Sequence, residues 1–211
     1  MCALARCKRL PFPQPPKAER VIVGGFSPAI RALPRDVLST GQIIGINHWA
    51  AEFPCDYWIG LDTGLNWHKY HDETEYLELP KFLRTLKVPQ FMRLPNPDSE
   101  AFVPHDAGIF FEKPHAGRIP TEWDGTLQFT ASTALAAINL AIVLGASEVV
   151  LYGVDFVGNS RADGSDYGIP DLWEQHREGI NALMRRFQEI IPIYKTHPDS
   201  WLDCPFMELT A

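Results

Sequence analysis

One apolar stretch near the middle of the chain predicts a buried helix. Residues 134–144 form an apolar run, which Gly145 closes, and the small hydroxylated segment 130–133 precedes it. Serine and threonine cap helix N-termini, and glycine commonly follows the last helical residue. We therefore expect a helix over this run, with Thr130 or Ser132 as its N-cap. Hydroxyl groups at that helix start, on Ser132 and Thr133, are candidates for holding a phosphate.

A core strand is predicted directly after this helix. The run Val149-Val150-Leu151-Tyr152 is short and apolar, and Gly153 and Asp155 follow it. Helix, turn and buried strand in this order indicate an open α/β sheet. Ligands bind such sheets at the carboxyl ends of the strands, so Gly153 and Asp155 are candidate site residues.

The first apolar run of the chain predicts a second core strand with a glycine turn. Val21-Ile22-Val23 is β-branched, as in parallel core strands, and Gly24-Gly25 follows it. Phe26-Ser27-Pro28 then begins a short helix, with the serine as N-cap and the proline at the first helical position. A strand, a glycine turn and a helix start together suit an anion. The pattern alone leaves open whether this is a phosphate site or an ordinary tight turn.

Two further strands are predicted to end on polar residues. Residues 41–46 lead to Asn47, and residues 55–61 lead to Asp62. If these strands run parallel to the first, their ends share one edge of the sheet with Gly24-Gly25. Glycine, amide and carboxylate at one edge fit close backbone approach and hydrogen bonds to a base or ribose. The alternative is that Asn47 and Asp62 only cap loops or helix starts.

The C-terminal part is predicted to supply a covering loop and a long helix. The polar, glycine-rich loop 158–168 follows the central strand and contains Tyr167. Such a loop is placed to cover a substrate. A helix over about 172–190 carries His176 in its first turns, and Ile193-Tyr194 is a last short strand. The alternative for His176 is a solvent-facing helix residue.

Composition limits the classes of function. With 211 residues, 45% hydrophobic and 21% charged, the chain suits one globular domain. A net charge of -7 argues against nucleic acid as a partner. The longest apolar run is too short for a membrane span, so we expect no such span and a cytoplasmic protein. The four cysteines are scattered and predict no zinc site. His68 and His71 suit a surface helix better than a metal pair.

Proline marks two segments apart from the rest. Residues 1–17 are predicted to be a proline-rich tail, and residues 18–211 a single domain. Residues 81–129 are predicted to be an irregular insertion, of the kind that forms a lid or binds an acceptor. Within it, residues 88–94 and 108–111 are candidate short strands.

The order of these elements resembles a known group of proteins. It is similar to the bacterial sialyltransferases that act on lipo-oligosaccharide, and to the related proteins similar to archaeal 6-hydroxymethylpterin pyrophosphokinase. The most specific match is the stretch from Ala141 to Phe156, AIVLGASEVVLYGVDF, which follows the group's A-x-x-L-G-x-x-E-I-x-L-x-G-x-D-F. The other matching segments are Gly25–Ile30, Asn47, Asp62, Ser132-Thr133-Ala134 and the ending from Ile193 to Leu202.

The resemblance implies a fold, a donor and site residues. The fold is a Rossmann-like three-layer α/β/α sandwich with a mostly parallel sheet and a nucleotide at its edge. In the sialyltransferases the donor is a cytidine monophosphate (CMP) sugar, a helix-borne histidine is the general base, and tyrosines of the loop bind the phosphate. His176 and Tyr167 are the matching positions, His176 only to within a few residues. Those enzymes need no metal for chemistry, whereas the pyrophosphokinase uses ATP and magnesium.

The sequence departs from the group at three positions. Phe26 stands where the group has asparagine, Ala29 where it has serine, and Ala134 where it has the helix-start glycine. Losing an amide and a hydroxyl removes donor contacts worth about 1 kcal/mol or more each. The hypotheses therefore include the binding of a different nucleotide and a loss of activity.

Three functional hypotheses follow. The leading one is an inverting, metal-independent, sialyltransferase-like glycosyltransferase that takes a small-molecule nucleotide-sugar donor and a glycan or small-molecule acceptor, as a possible homo-oligomer. The second is a pyrophosphokinase-like phosphotransferase, with Asp62 or Asp155 holding magnesium near ATP. The third is a non-catalytic nucleotide-binding or structural protein. The candidate nucleotide-binding residues are Gly24, Gly25, Phe26, Ser27, Pro28, Asn47, Asp62, Ser132, Thr133, Gly153, Asp155 and Tyr167, with His176 as the candidate base.

Overall fold

The structure is a computed structural model that describes six stretches of the chain. They are residues 19–61, 88–93, 107–112, 117–157, 161–164 and 172–209. Several sequence predictions lie outside these residues: those for the tail 1–17, for Asp62, for His68 and His71, and for Tyr167.

A parallel sheet forms the centre of the described part of the chain. Its strands lie in the order β6-β5-β4-β3-β2-β1-β7-β8, and each neighbouring pair is parallel. Because β1 lies between β2 and β7, the direction of strand succession reverses at β1, the position where open α/β sheets bind ligands. The strands are β1 (Arg20–Gly24), β2 (Gln42–Ile46), β3 (Tyr57–Gly60), β4 (Gln90–Arg93), β5 (Ala107–Glu112), β6 (Thr126–Leu127), β7 (Glu148–Tyr152) and β8 (Ile193–Lys195).

Among the described residues, two α-helices cover one face of the sheet. Helix α1 (Thr133–Val143) is buried along its whole length, as the uniformly apolar run predicts. Helix α2 (Leu172–Gln188) packs on α1 through an apolar stripe made of Ile180, Leu183, Met184 and Phe187. The predicted helices are thus confirmed, α2 ending two residues before the expected position.

In the same part of the chain, three 3₁₀ helices pack against the opposite face. They span Pro28–Arg31, Asp36–Ser39 and Asn47–Ala51. Side chains alternate between the faces of a strand, so in β1 Val21 and Val23 belong to the core cluster of α1 while Ile22 belongs to a second cluster around Trp49. The architecture is the predicted α/β fold, with 3₁₀ helices rather than α-helices as the second covering layer among the described residues.

The proline-rich segment 81–129 differs from the prediction of an irregular insertion. Its described residues include β4, β5 and β6, which extend the sheet by three strands. The two candidate strands in it are confirmed as β4 and β5, whereas the two-residue β6 was not predicted. The sequence did not predict this extension of the sheet for two reasons. Prolines separate the strands, and each strand is too short to show a periodic hydrophobic pattern.

Within the described residues, no helix combines the length and the apolar character that crossing a membrane requires.

Candidate functional site

The glycine turn at the end of β1, residues 24–28, is called the first turn here. It lies in backbone contact with the end of β7. The Gly25 N–H donates to Tyr152 O at 2.8 Å, and the Ser27 N–H donates to Gly153 O at 3.1 Å. Gly153 has a φ of +66°, and a Cβ there would lie 2.8 Å from Gly25 O. A Cβ on Gly25 would in turn collide with Gly153 O. Glycine at both positions is therefore needed for these two segments of the chain to approach this closely.

Ser27 places a buried hydroxyl at this turn. It is the N-cap of the 3₁₀ helix Pro28–Arg31, with Pro28 at the first helical position as predicted. Its side chain makes no capping hydrogen bond, and Ser27 Oγ is buried without a partner among the described residues. A buried hydroxyl without a hydrogen bond is unfavourable, so Ser27 Oγ is a candidate to bind a ligand or a water molecule at this turn.

Asn47 joins the end of β2 to the start of α1. It follows β2 with a φ of +47°, and its carbonyl oxygen accepts a 2.8 Å hydrogen bond from Trp58 Nε1–H. The Asn47 side chain lies 3.2 Å from Thr133 Oγ1 through Nδ2 and 3.3 Å through Oδ1. The structure thus brings together an amide and a hydroxyl that the sequence separates by 86 residues.

The start of α1 is capped by Ser132. Its Oγ accepts a hydrogen bond from the Ala134 N–H at 3.2 Å, and its extended backbone is that of an N-cap. Of the two predicted caps, Thr130 and Ser132, the structure selects Ser132. The first turn of α1 therefore lies beside Asn47, with the positive end of the helix dipole at the sheet edge.

Within the part of the chain that the structure describes, three residues at this edge have left-handed backbone conformations without being glycine. They are Asn47, Ala131 and Phe156, with φ of +47°, +51° and +56°. They follow β2, precede α1 and follow β7, respectively. Such residues cost about 1–3 kcal/mol each and cluster at functional sites. Their concentration at the edge that also holds Ser27 and Gly153 supports a site at this place.

Asp155 has a structural partner. It is buried, and its Oδ1 accepts a hydrogen bond from the Val157 N–H at 3.2 Å. This bond closes the turn that contains the strained Phe156. The carboxylate therefore shapes the end of β7, whichever ligand the edge accepts.

His176 lies on the exposed side of the first turns of α2. Gly179, one turn further along, faces Thr130, since a Cβ there would lie 3.9 Å from its side chain. Arg177 lies over the Trp201 ring at 5.4 Å, and this ring contacts Phe156 at 5.4 Å between centroids. The start of α2 is thereby held near the sheet edge. No hydrogen bond joins the His176 side chain to another described residue.

Phe26 occupies a core position instead of an open one. Its side chain is 7% exposed and belongs to the cluster around Trp49. Its ring stacks on His48 at 6.3 Å between centroids. An apolar side chain in the first turn thus adds to the core and offers no hydrogen-bond donor to a ligand.

A group next to the first turn escaped prediction. Arg31 pairs with Glu52, 21 positions away, and also reaches Ala162 in the segment after β7. These residues belong to no motif, and only the folded chain brings them together.

Comparison with known proteins identifies the fold. The chain is similar in structure to the sialyltransferase CstII from Campylobacter jejuni in complex with the substrate analogue CMP-3FNeuAc, with a TM-score of 0.50, 13% identity, and coverage of 89% of this chain and 86% of that chain. For CstII in complex with cytidine-5'-monophosphate the TM-score is 0.51, the identity 15%, and the coverage 91% and 86%. No protein-family model and no curated protein sequence matches the chain. The chain therefore has a sialyltransferase-like fold, which confirms the fold that the sequence resemblance implied.

Proposed function

We propose that the protein is a nucleotide-sugar-dependent glycosyltransferase that uses a CMP-type donor. The observation that carries the proposal is the convergence of the first turn, the Asn47–Thr133 pair and the start of α1 at one edge of the sheet. This convergence occurs in a fold like that of CstII, which was solved with CMP and with CMP-3FNeuAc.

The proposed roles follow from the chemistry at each position. The glycines shape the backbone of the site: Gly25 and Gly153 let their two segments approach each other, Gly24 leaves room for Trp49, and Pro28 holds the turn. Ser27, Ser132 and Thr133 supply hydroxyl and backbone donors for the phosphate. Asn47 supplies hydrogen bonds for the ribose or base.

The proposed reaction is a direct, inverting displacement without metal. The acceptor hydroxyl oxygen attacks the anomeric carbon of the sugar, and the bond from that carbon to the phosphate oxygen breaks. His176 takes the acceptor proton, which requires that the loaded site bring acceptor and imidazole within hydrogen-bond reach. CMP departs as the anion, stabilised by the start of α1 and by Tyr167.

The donor class is tested by thermal shift and by transfer. The protein is heated with CMP, UMP, GMP, AMP and ATP, each with and without magnesium. We expect CMP to raise the midpoint most, and magnesium to add nothing. Release of CMP from CMP-N-acetylneuraminic acid, with and without glycan acceptors, then measures turnover. An unchanged midpoint with every nucleotide would refute the proposed site.

The base is tested by a substitution on an exposed helix face. His176→Ala should leave the unfolding midpoint and the CMP affinity close to wild type while lowering transfer by about 10²–10⁴-fold. His197→Ala, which removes the imidazole of a residue just after β8, is the control. Full transfer activity in His176→Ala would show that another group takes the proton.

A non-catalytic nucleotide-binding protein is the second candidate. The buried Phe26 favours it, because an apolar core residue replaces a donor in the first turn. Nucleotide binding without release or transfer of any sugar would support this candidate. The ATP- and magnesium-dependent alternative requires magnesium to strengthen the binding of ATP.

The cytoplasmic location remains a prediction.

A further inference from the structure

Arg31 connects three segments of the chain around the first turn. Its guanidinium makes two hydrogen bonds to the Glu52 carboxylate, Nη1 to Oε2 at 2.8 Å and Nη2 to Oε1 at 3.0 Å. Nη2 also donates to Ala162 O at 3.4 Å. The Ala162 N–H donates to Phe26 O at 2.9 Å. The segment after β7 is therefore hydrogen-bonded both to Phe26 in the first turn and to Arg31 at the end of the 3₁₀ helix that follows it.

The Arg31–Glu52 pair joins the far ends of two short helices. Arg31 is the last residue of the 3₁₀ helix that Ser27 caps. Glu52 is the C-cap of the 3₁₀ helix that begins at Asn47. A 3₁₀ helix rises about 2 Å per residue, so each helix is a rigid unit about 8–10 Å long. Fixing the far ends of the two helices therefore restricts the distance between Ser27 and Asn47.

Charge reinforces this connection. The pKa of the Arg31 guanidinium is raised above its ordinary value, first by the hydrogen bond to Glu52 and further by the charges of Glu52 and Asp163. Asp163 follows Ala162 directly, so the same short segment supplies both a carbonyl and a negative charge to Arg31. A bidentate guanidinium–carboxylate pair also fixes orientation, because the two planar groups align.

We propose that Arg31 is a positioning residue for the nucleotide site. Its clamp, made of Arg31, Glu52 and Ala162, sets the spacing of the candidate donor-binding residues Ser27 and Asn47 and holds residues 161–164 against the first turn. The inference rests on the proposed function, since it assigns Arg31 to that same site. Arg31 acts through its neighbours and is not assigned a contact with the substrate.

The exposure of the pair separates this role from a role in stability. The side chains of Arg31 and Glu52 are 45% and 34% exposed. Exposed ion pairs contribute little to the free energy of unfolding. Loss of the clamp should therefore change the site much more than it changes the stability of the fold.

The experiment compares Arg31→Ala and Glu52→Ala, singly and combined, with Arg185→Ala. Arg185 makes an ion pair with Asp203 at 2.7 Å that is somewhat more exposed, with side chains 56% and 54% exposed, and serves as the control. Hydrogen exchange at the Ala162 amide is measured without ligand, and CMP affinity is measured by calorimetry. For both clamp variants we expect CMP to bind about tenfold more weakly. For Arg31→Ala we also expect at least about tenfold faster exchange at Ala162. The control should leave both quantities unchanged.

The double variant tests whether the pair acts as a unit. Arg31→Ala and Glu52→Ala combined should weaken CMP binding no more than the stronger single variant, because each removes the same clamp. Additive losses, or unchanged exchange at Ala162 in Arg31→Ala, would overturn the proposal. If the wild-type protein binds no nucleotide, the positioning role fails together with the proposed function, and faster exchange would then mark a purely structural clamp.

Discussion

At the scale of single residues, the site depends on places where the backbone leaves no room for a side chain. Gly25 and Gly153 face each other across the first turn and the end of β7, and each blocks a Cβ on the other. Ser27 and Asn47 flank this contact. Ser27 has a buried hydroxyl without a hydrogen-bond partner among the described residues, and Asn47 has a strained backbone. The geometry of the edge is thus fixed by packing before any ligand arrives.

A pair of glycine substitutions separates backbone strain from crowding. Gly145 and Gly153 both have positive φ, +78° and +66°, but only Gly153 has atoms within 4 Å of an added Cβ. Gly145→Ala should cost about 1 kcal/mol of unfolding free energy, the price of a left-handed alanine. Gly153→Ala should cost about 1–3 kcal/mol more, because the methyl group also collides with Gly25 O. Urea unfolding measures both, and equal losses would show that the collision is relieved without cost.

Two cysteines are expected to resist alkylation in the folded protein. Burial raises the pKa of the Cys55 thiol and of the Cys204 thiol from 9.0 to about 11 in each case. Below pH 9, two pKa units lower the thiolate fraction by about 100-fold, so iodoacetamide should label both far more slowly than in urea. Peptide mapping after timed labelling gives the rates at each thiol. Native labelling as fast as in urea would contradict the burial.

The same thiols make stability depend on pH in the alkaline range. Their folded pKa lies above the unfolded value, so between about pH 9 and pH 11 the unfolded chain loses protons that the folded chain keeps. Stability should therefore fall as the pH rises through this window. Cys204→Ser, compared with wild type at pH 8 and pH 10, should show a smaller loss between the two values.

At the scale of elements, α1 combines two tasks in one helix. Its body is buried against the sheet, and its first turn carries Ser132 and Thr133 at the candidate site. Burial of the body explains why the helix forms where it does. The hydroxylated first turn determines what the helix can bind.

Two substitutions of Ser132 distinguish capping from anion binding. Ser132→Ala removes the acceptor for the Ala134 N–H and should lower the unfolding free energy by about 1 kcal/mol. Ser132→Asp keeps a good cap and should retain stability, but its negative charge should repel a phosphate. CMP affinity by calorimetry and unfolding by urea give the two readouts. Undiminished CMP binding by Ser132→Asp would place the phosphate elsewhere.

The sequence predicted those helices and strands that depend on short-range patterns of apolar and capping residues. The run at residues 21–23 gave β1, and a hydroxylated start before an apolar run gave α1 with its cap. Ser27 and Pro28 likewise predicted the start of the helix Pro28–Arg31. The short strand β6 and the 3₁₀ helices Asp36–Ser39 and Asn47–Ala51 were not predicted, since two to five residues carry no periodicity. The Arg31–Glu52 clamp was missed for a different reason: its partners belong to separate helices and meet only after folding.

At the scale of the whole molecule, β8 is the edge strand on one side of the sheet, and the C-terminal segment covers it. The Lys195 N–H donates to Pro205 O at 2.9 Å, and the Met207 N–H donates to Lys195 O at 2.8 Å. Phe206 lies between these bonds, 48% exposed. A covered edge cannot pair with a strand of another molecule, so this short segment opposes aggregation.

Removing one of these edge bonds is expected to promote self-association. Met207→Pro deletes the N–H that bonds to Lys195 O without shortening the chain. We expect larger species in light scattering at rising protein concentration, with Glu208→Pro as the neighbouring control. A strictly monodisperse Met207→Pro protein of wild-type size would show that the edge is protected by other means.

The position of β1 in the sheet has a consequence during translation. β1 needs β7 as its second neighbour, yet Arg20 and its partner Glu148 are 128 residues apart. At about 5–20 residues per second, the ribosome adds β7 roughly 6–26 s after β1. Throughout that interval the nascent chain carries a β-branched strand with one open edge. A chaperone that engages nascent chains should therefore bind this protein before residue 148 emerges and release it afterwards.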